Sequence, residues 1–173
     1  MPYVAPTSVS TGDVLTAARY NSDVVGNWTT LGGAWSTWTP TLTGITVGTG
    51  VGAGTLEARY LQIGKLVMFN FYFKAGSAST FSATGFSFTL PVAARFTADF
   101  TQTGFPGVIH DAGTDAYVAS GQVGWTATSN TVCDIVVHNA AGTYAVTRSA
   151  TSTIPMTWTT NDKIAIHGVY EAA

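Results

Sequence analysis

Reactive side chains are few in this chain of 173 residues, and they are thinly spread. The densest group is His110-Asp111 with Asp115. Such a trio could supply a general base, a carboxylate pair or a weak cation site. A calcium loop needs more oxygen ligands at closer intervals. Zinc needs several His or Cys side chains converging, whereas His110, His138 and His167 are far apart and Cys133 is the single cysteine. The trio therefore reads as a polar loop between strands. Cys133 sits in the run Val132–Val137 and reads as a buried small hydrophobe. Glu57 and Arg59, two apart on one strand face, form at most a weak ion pair. No Gly-x-Ser-x-Gly elbow is present. The glycine run from Gly48 to Gly54 is followed by Thr55-Leu56-Glu57, not by the Lys-Ser/Thr and helix of a phosphate loop. The expectation is a protein without catalytic residues, metal or cofactor, and not an enzyme.

Aromatic side chains offer a different chemistry. Tyr and Trp faces stack on sugars and act as rigid anchors in binding sites. Tyr117, Trp125 and Tyr144 fall near turns in the distal half of the chain and are candidate receptor contacts, with a host surface glycan as the ligand.

These residues must be carried by the elements that the sequence pattern dictates. Thr16 is a good N-cap for a helix running to about Leu31. Ala17, Tyr20, Val24, Trp28 and Leu31 recur at spacings of three and four and share one face. Gly26 weakens that helix by about 1 kcal/mol, so it needs a partner surface: the main domain, or, for oligomerisation or attachment, copies of itself or another protein. Gly32-Gly33 ends it. Residues 1–33 are thus expected to be an extended arm plus one short α-helix, and residues 34–173 an antiparallel β-sandwich of jelly-roll type.

Strands are expected at Leu56–Ile63 and Lys65–Lys74. Further strands are expected near Phe86–Leu90, Phe105–His110, Ala116–Trp125, Thr131–His138, Tyr144–Arg148 and Lys163–Tyr170, with turn signals and no helices between them. In the second strand Val67, Phe69, Phe71 and Phe73 alternate with Leu66, Met68, Asn70 and Tyr72. The first set belongs to a core. The second is also largely apolar, so a second sheet or a neighbouring subunit is expected to cover it, with Leu66, Met68 and Tyr72 as the candidate subunit interface.

Composition points the same way. Charged residues make up 9 % of the chain, against roughly 25 % in an average soluble protein, while hydrophobic residues reach 46 %. A surface so poor in charge suits burial against copies of the same chain. The seven Lys and Arg are scattered, so no basic patch exists for nucleic acid or an anionic membrane. No apolar run has the length to span a bilayer. Met1–Ser10 shows no signal-peptide pattern, so synthesis in a cytoplasm without standard export is expected. The sequon Asn27-Trp28-Thr29 then reads as a chance match.

Three stretches, in order, resemble a known group. They are Gly12-Asp13-Val14-Leu15-Thr16-Ala17-Ala18 with Tyr20-Asn21, and Trp38-Thr39-Pro40-Thr41-Leu42-Thr43-Gly44 with Arg59-Tyr60 and Ile63-Gly64-Lys65. The third is Pro155-Met156-Thr157-Trp158 with Asp162, Ile164, Ile166, Gly168 and the ending Tyr170-Glu171-Ala172-Ala173. Together they resemble small structural proteins of actinobacteriophages, of the minor tail protein, tail fibre or head fibre type. The resemblance implies a virion surface protein made in the host bacterial cytoplasm, docked by its N-terminal segment onto other virion proteins of capsid or tail, with a β-rich domain displayed outward and three-fold symmetry. It carries no catalytic residue across.

Overall fold

A computed structural model describes residues 8–33, 35–95, 104–125, 129–139 and 146–173. Helix α1, residues 17–31, begins where Thr16 Oγ1 accepts the Arg19 amide at 3.2 Å. It runs as an α-turn (Ala17–Tyr20), a π-turn (Asn21–Val25) and a second α-turn (Gly26–Leu31). Gly32 closes it by donating its amide to the Trp28 carbonyl. The Asn27 side chain is buried and donates to the Asp23 carbonyl, so the sequon nitrogen is already engaged. Among the described residues no helix is long and apolar enough to cross a membrane.

The rest is β-structure. The alternation read in the sequence becomes strands β4 (Thr55–Ile63) and β5 (Leu66–Lys74), joined at Gly64-Lys65 with Gly64 at φ 59°. They pair antiparallel from Ile63↔Leu66 to Thr55↔Lys74. Around them lie β1 (Ser36–Thr37), β2 (Leu42–Thr43), β7 (Ser87–Thr89), β8 (Gly104–His110), β9 (Ala116–Val123), β10 (Val132–Asn139), β11 (Val146–Ser149) and β12 (Lys163–Glu171). The sheet order is β1-β4-β5-β12-β8-β9-β10-β7-β2, with β11 lying end to end with β7 along one edge of β10. A small second sheet pairs β3 (Ile45–Thr46) with β6 (Thr80–Phe81).

The fold is all-β and sandwich-like, and its two layers are one antiparallel sheet curled onto itself. Stacking of Phe71 from β5 on Phe88 from β7 shows the closure, with ring centroids 4.1 Å apart although four strands separate them in the sheet. A single short stretch of chain spans the opening. β1 pairs with β4 at one edge, and β2, five residues on, pairs with β7 at the other. Between them the Trp38 indole donates to the Thr89 carbonyl at 3.1 Å, and buried Pro40 turns the corner where a ladder amide is not needed.

Strand alternation makes the inner face apolar. Phe69 lies at its centre, with Trp38, Phe88, Phe105 and Tyr170 at 4.9–6.3 Å between ring centroids. The sheet bends between β12 and β8, whose pairing stops at Ile166↔Gly107. Beyond that point the Phe105 ring lies between Gly168 of β12 and Gly121 of β9. Two strands with no Cβ at that level leave room for one large ring, and so let the layers close.

Candidate functional site

Most of the residues with reactive chemistry are placed in structural roles. The His110–Asp115 group forms the β8–β9 hairpin loop. The Asp111 amide donates to the Asp115 carbonyl at 2.8 Å, the Thr114 amide to the Asp111 carbonyl at 3.1 Å, and Gly113 takes φ 98°. Among the described residues no group of three or more His, Cys, Asp or Glu could hold a metal ion. Glu57 and Arg59 both lie on the outer face of β4, exposed.

Cys133 is fully buried on the inner face of β10. Burial, and then the nearby Asp134 carboxylate, push its thiol well above the ordinary range, against a smaller lowering by a Gln122 backbone hydrogen bond. Burial likewise raises the Tyr170 phenol, which donates to the Val92 carbonyl at 2.8 Å. A neutral, enclosed thiol is a poor nucleophile. Labelling of Cys133 by an aromatic disulfide reagent is therefore expected to be at least a thousand-fold slower in the folded protein than in denaturant. It should track global unfolding even at pH 9. Rapid labelling of the native protein would contradict the burial.

Two surfaces of the β-structure remain as candidates. The first is the outer face of the sheet. Antiparallel register puts Leu61, Met68 and Val169 in one cross-strand row, with Ile63 and Leu66 beside it. Tyr72, Ala165, Val108 and Val118 form a second row across β5, β12, β8 and β9. Arg59, Asn70 and His167 form a polar row between the two. Leu66, Val169 and Val118 are 46 %, 51 % and 68 % exposed, and Met68 and Tyr72 are half-buried. Leu66, Met68 and Tyr72, marked in the sequence as an interface, thus share one outward face. Val108, Val118 and Val169 extend it. Single strands could not show that extension, because it depends on which strands are neighbours.

No protein family, curated protein or solved structure matches this chain.

Helix α1 also presents apolar side chains outward. Trp28 is 71 % exposed, Ala17 and Tyr20 are exposed, and Val24 is half-buried. The side chain of Leu31 lies outside the described residues. The π-turn changes the local residue spacing between Tyr20 and Trp28, so the face drawn at regular helical spacing is rotated part-way along.

The second surface is a cavity beside Tyr117, at the rim of the inner face. Trp125, grouped with Tyr117 by the sequence, is not there. It follows the opposite end of β9, and its indole donates to Ser149 Oγ at 3.3 Å. Ser149 pairs with Val136, on the outer face of β10. Tyr144 lies outside the described residues.

Proposed function

We propose that this protein is a structural component of a bacteriophage particle. It would be a trimeric surface appendage of minor tail or fibre type, attached through its N-terminal arm and helix. A capsid decoration or head fibre is the alternative placement, and the same surfaces serve either one. The observation that carries the reading is the outer sheet face, where two apolar rows stand in solvent-facing positions of a chain that has little charge to keep a monomer soluble. A second copy fits that face better than a strongly charged partner does. Its polar row holds one cation, Arg59, an amide, Asn70, and His167, and the exposed Glu57 on the same strand offers a sister chain the opposite charge. The exposed Trp28 gives helix α1 a separate anchor, either on sister helices or on a particle protein. Three-fold symmetry and the virion location come from the sequence resemblance.

Light scattering on the full chain at micromolar concentration tests the assembly. The expected mass is three times 18.0 kDa. Met68→Glu combined with Val169→Glu should give a folded monomer, with the far-ultraviolet spectrum unchanged because both side chains point away from the core. A wild-type monomer would sink the proposal. So would a trimer indifferent to the double substitution and to Trp28→Ala.

A further inference from the structure

The cavity beside Tyr117 has the chemistry of a binding site. Its volume is about 450 Å³, within the roughly 300–1,000 Å³ range of small-molecule sites. Cross-strand register explains its lining. Ala119, Val137 and Arg148 are partners across β9, β10 and β11, so their side chains share the inner face. Tyr117 and Asn139 lie two residues further along β9 and β10, on that same face. Val137 is buried and belongs to the core, while Arg148 is exposed. Ile154-Pro155, from the segment after β11, also lines it. His138 also borders the cavity, but its ring turns to the other face, with Nε2 3.5 Å from Ser120 Oγ. The formal positive charge of the cavity is therefore that of Arg148.

Among the described residues Arg148 has no carboxylate partner, since the ion pairs there are Arg19–Asp23 and Arg95–Glu171. A guanidinium presents a planar fork of donors that matches a carboxylate or a phosphate. Tyr117, Val137, Ile154 and Pro155 offer it an apolar bed. Asn139 and Thr153 place polar groups in the same wall. One small ligand satisfies all three features at once: an apolar C–H face, several hydroxyls and one negative charge.

We propose that this cavity binds an anionic pyranose, a hexose bearing one carboxylate or phosphate, with the charge on Arg148 and the ring against Tyr117. The inference names the substrate class for the receptor-contact role of Tyr117 and does not require any particular oligomeric state.

Titration calorimetry and saturation-transfer NMR on the full chain test it with four probes: glucuronic acid, glucose 6-phosphate, glucose and inorganic phosphate. At least one of the two anionic sugars is expected to bind ten-fold or more tighter than glucose and than inorganic phosphate, and which one does so identifies the charged group. Arg148→Gln should weaken that sugar at least ten-fold and leave glucose unaffected. Tyr117→Ala should weaken it about five-fold or more, and Tyr117→Phe should restore it, which separates ring stacking from any loss of packing. Failure of both anionic sugars to bind overturns the inference, as does equal binding of glucose or insensitivity to Arg148→Gln. Inorganic phosphate binding as tightly as the sugars would reduce the site to a bare anion hole and overturn it too. A trimer that ignores all four probes leaves the assembly proposal standing. A monomer that binds an anionic sugar leaves this one standing.

Discussion

Replacing Gly168 by valine is expected to abolish the native fold. A Cβ at this position would overlap Cδ1 of Phe105, and it would lie 2.7 Å from Cγ of the same ring and 2.9 Å from Cε1 of Phe69. Neither ring has space to yield. Phe105 also lies against Gly121, where an added Cβ would come 3.3 Å from its Cδ2. Phe69 is packed by four other aromatic rings. Overpacking a filled core costs about 1–3 kcal/mol, and sometimes more. Here two further methyl groups enter the same contact, in a fold whose total margin is on the order of 5–15 kcal/mol. Gly168→Val should lose its cooperative melting transition, and Gly168→Ala should melt well below the wild type. Among the described residues no heavy atom lies within 4 Å of a Cβ added at Gly104, so Gly104→Ala should melt as wild type does. The specific signature is suppression. Phe105→Ala alone should cost about 3–5 kcal/mol, yet combined with Gly168→Val it should be more stable than Gly168→Val alone. A Gly168→Val protein with wild-type melting would mean that Phe105 does not lie over β12.

That contact shows what the sequence can and cannot reveal. The strand pair β4–β5 is legible because period-two alternation in Val67–Phe73 and the Gly64-Lys65 turn are local signals. The helix start at Thr16 is legible for the same reason: a cap is a contact three residues long. Nothing local says that β12 lies between β5 and β8, or that Gly168 and Gly121 flank one ring. Those facts depend on pairings between residues tens of positions apart. The outward apolar face is half legible on the same account. Leu66, Met68 and Tyr72 come from alternation within one strand, while Val169, Val108 and Val118 join them only through strand order. Grouping Tyr117 with Trp125 reflected nearness in sequence, and the two lie at opposite ends of β9. Arg148 gave no sign of a site because its neighbours in the cavity, Tyr117 and Ile154-Pro155, come from other segments.

Asp162 is the second position where a large effect is expected, although in the sequence it stands out only as one residue of the third stretch that carries the resemblance. Its side chain is 0 % exposed. Oδ1 accepts the Ala112 amide from the β8–β9 hairpin at 2.9 Å, and Oδ2 accepts the Thr159 amide at 2.5 Å. The Thr159 hydroxyl is within 3.3 Å of the same carboxylate. Its own carbonyl accepts the Ala75 amide beyond the end of β5. One residue therefore ties three chain segments together at one end of the sheet. Asp162→Ala would take the acceptor from two amides, one on half-buried Ala112 and one on exposed Thr159, and a donor left unpaired costs about 1–3 kcal/mol when buried and less where water can reach it. The expected loss is about 2 kcal/mol, measured by urea unfolding, with hydrogen-exchange protection of the Ala112 and Thr159 amides falling first. Asp162→Asn keeps one oxygen acceptor but turns an NH₂ toward the other donor, so it should fall between alanine and wild type. Thr159→Ala removes a hydroxyl and no amide, and should cost about 1 kcal/mol. The alternative is that the carboxylate is only a surface turn residue. In that case all three variants would unfold within about 0.5 kcal/mol of the wild type, and the Ala112 amide would exchange no faster than before.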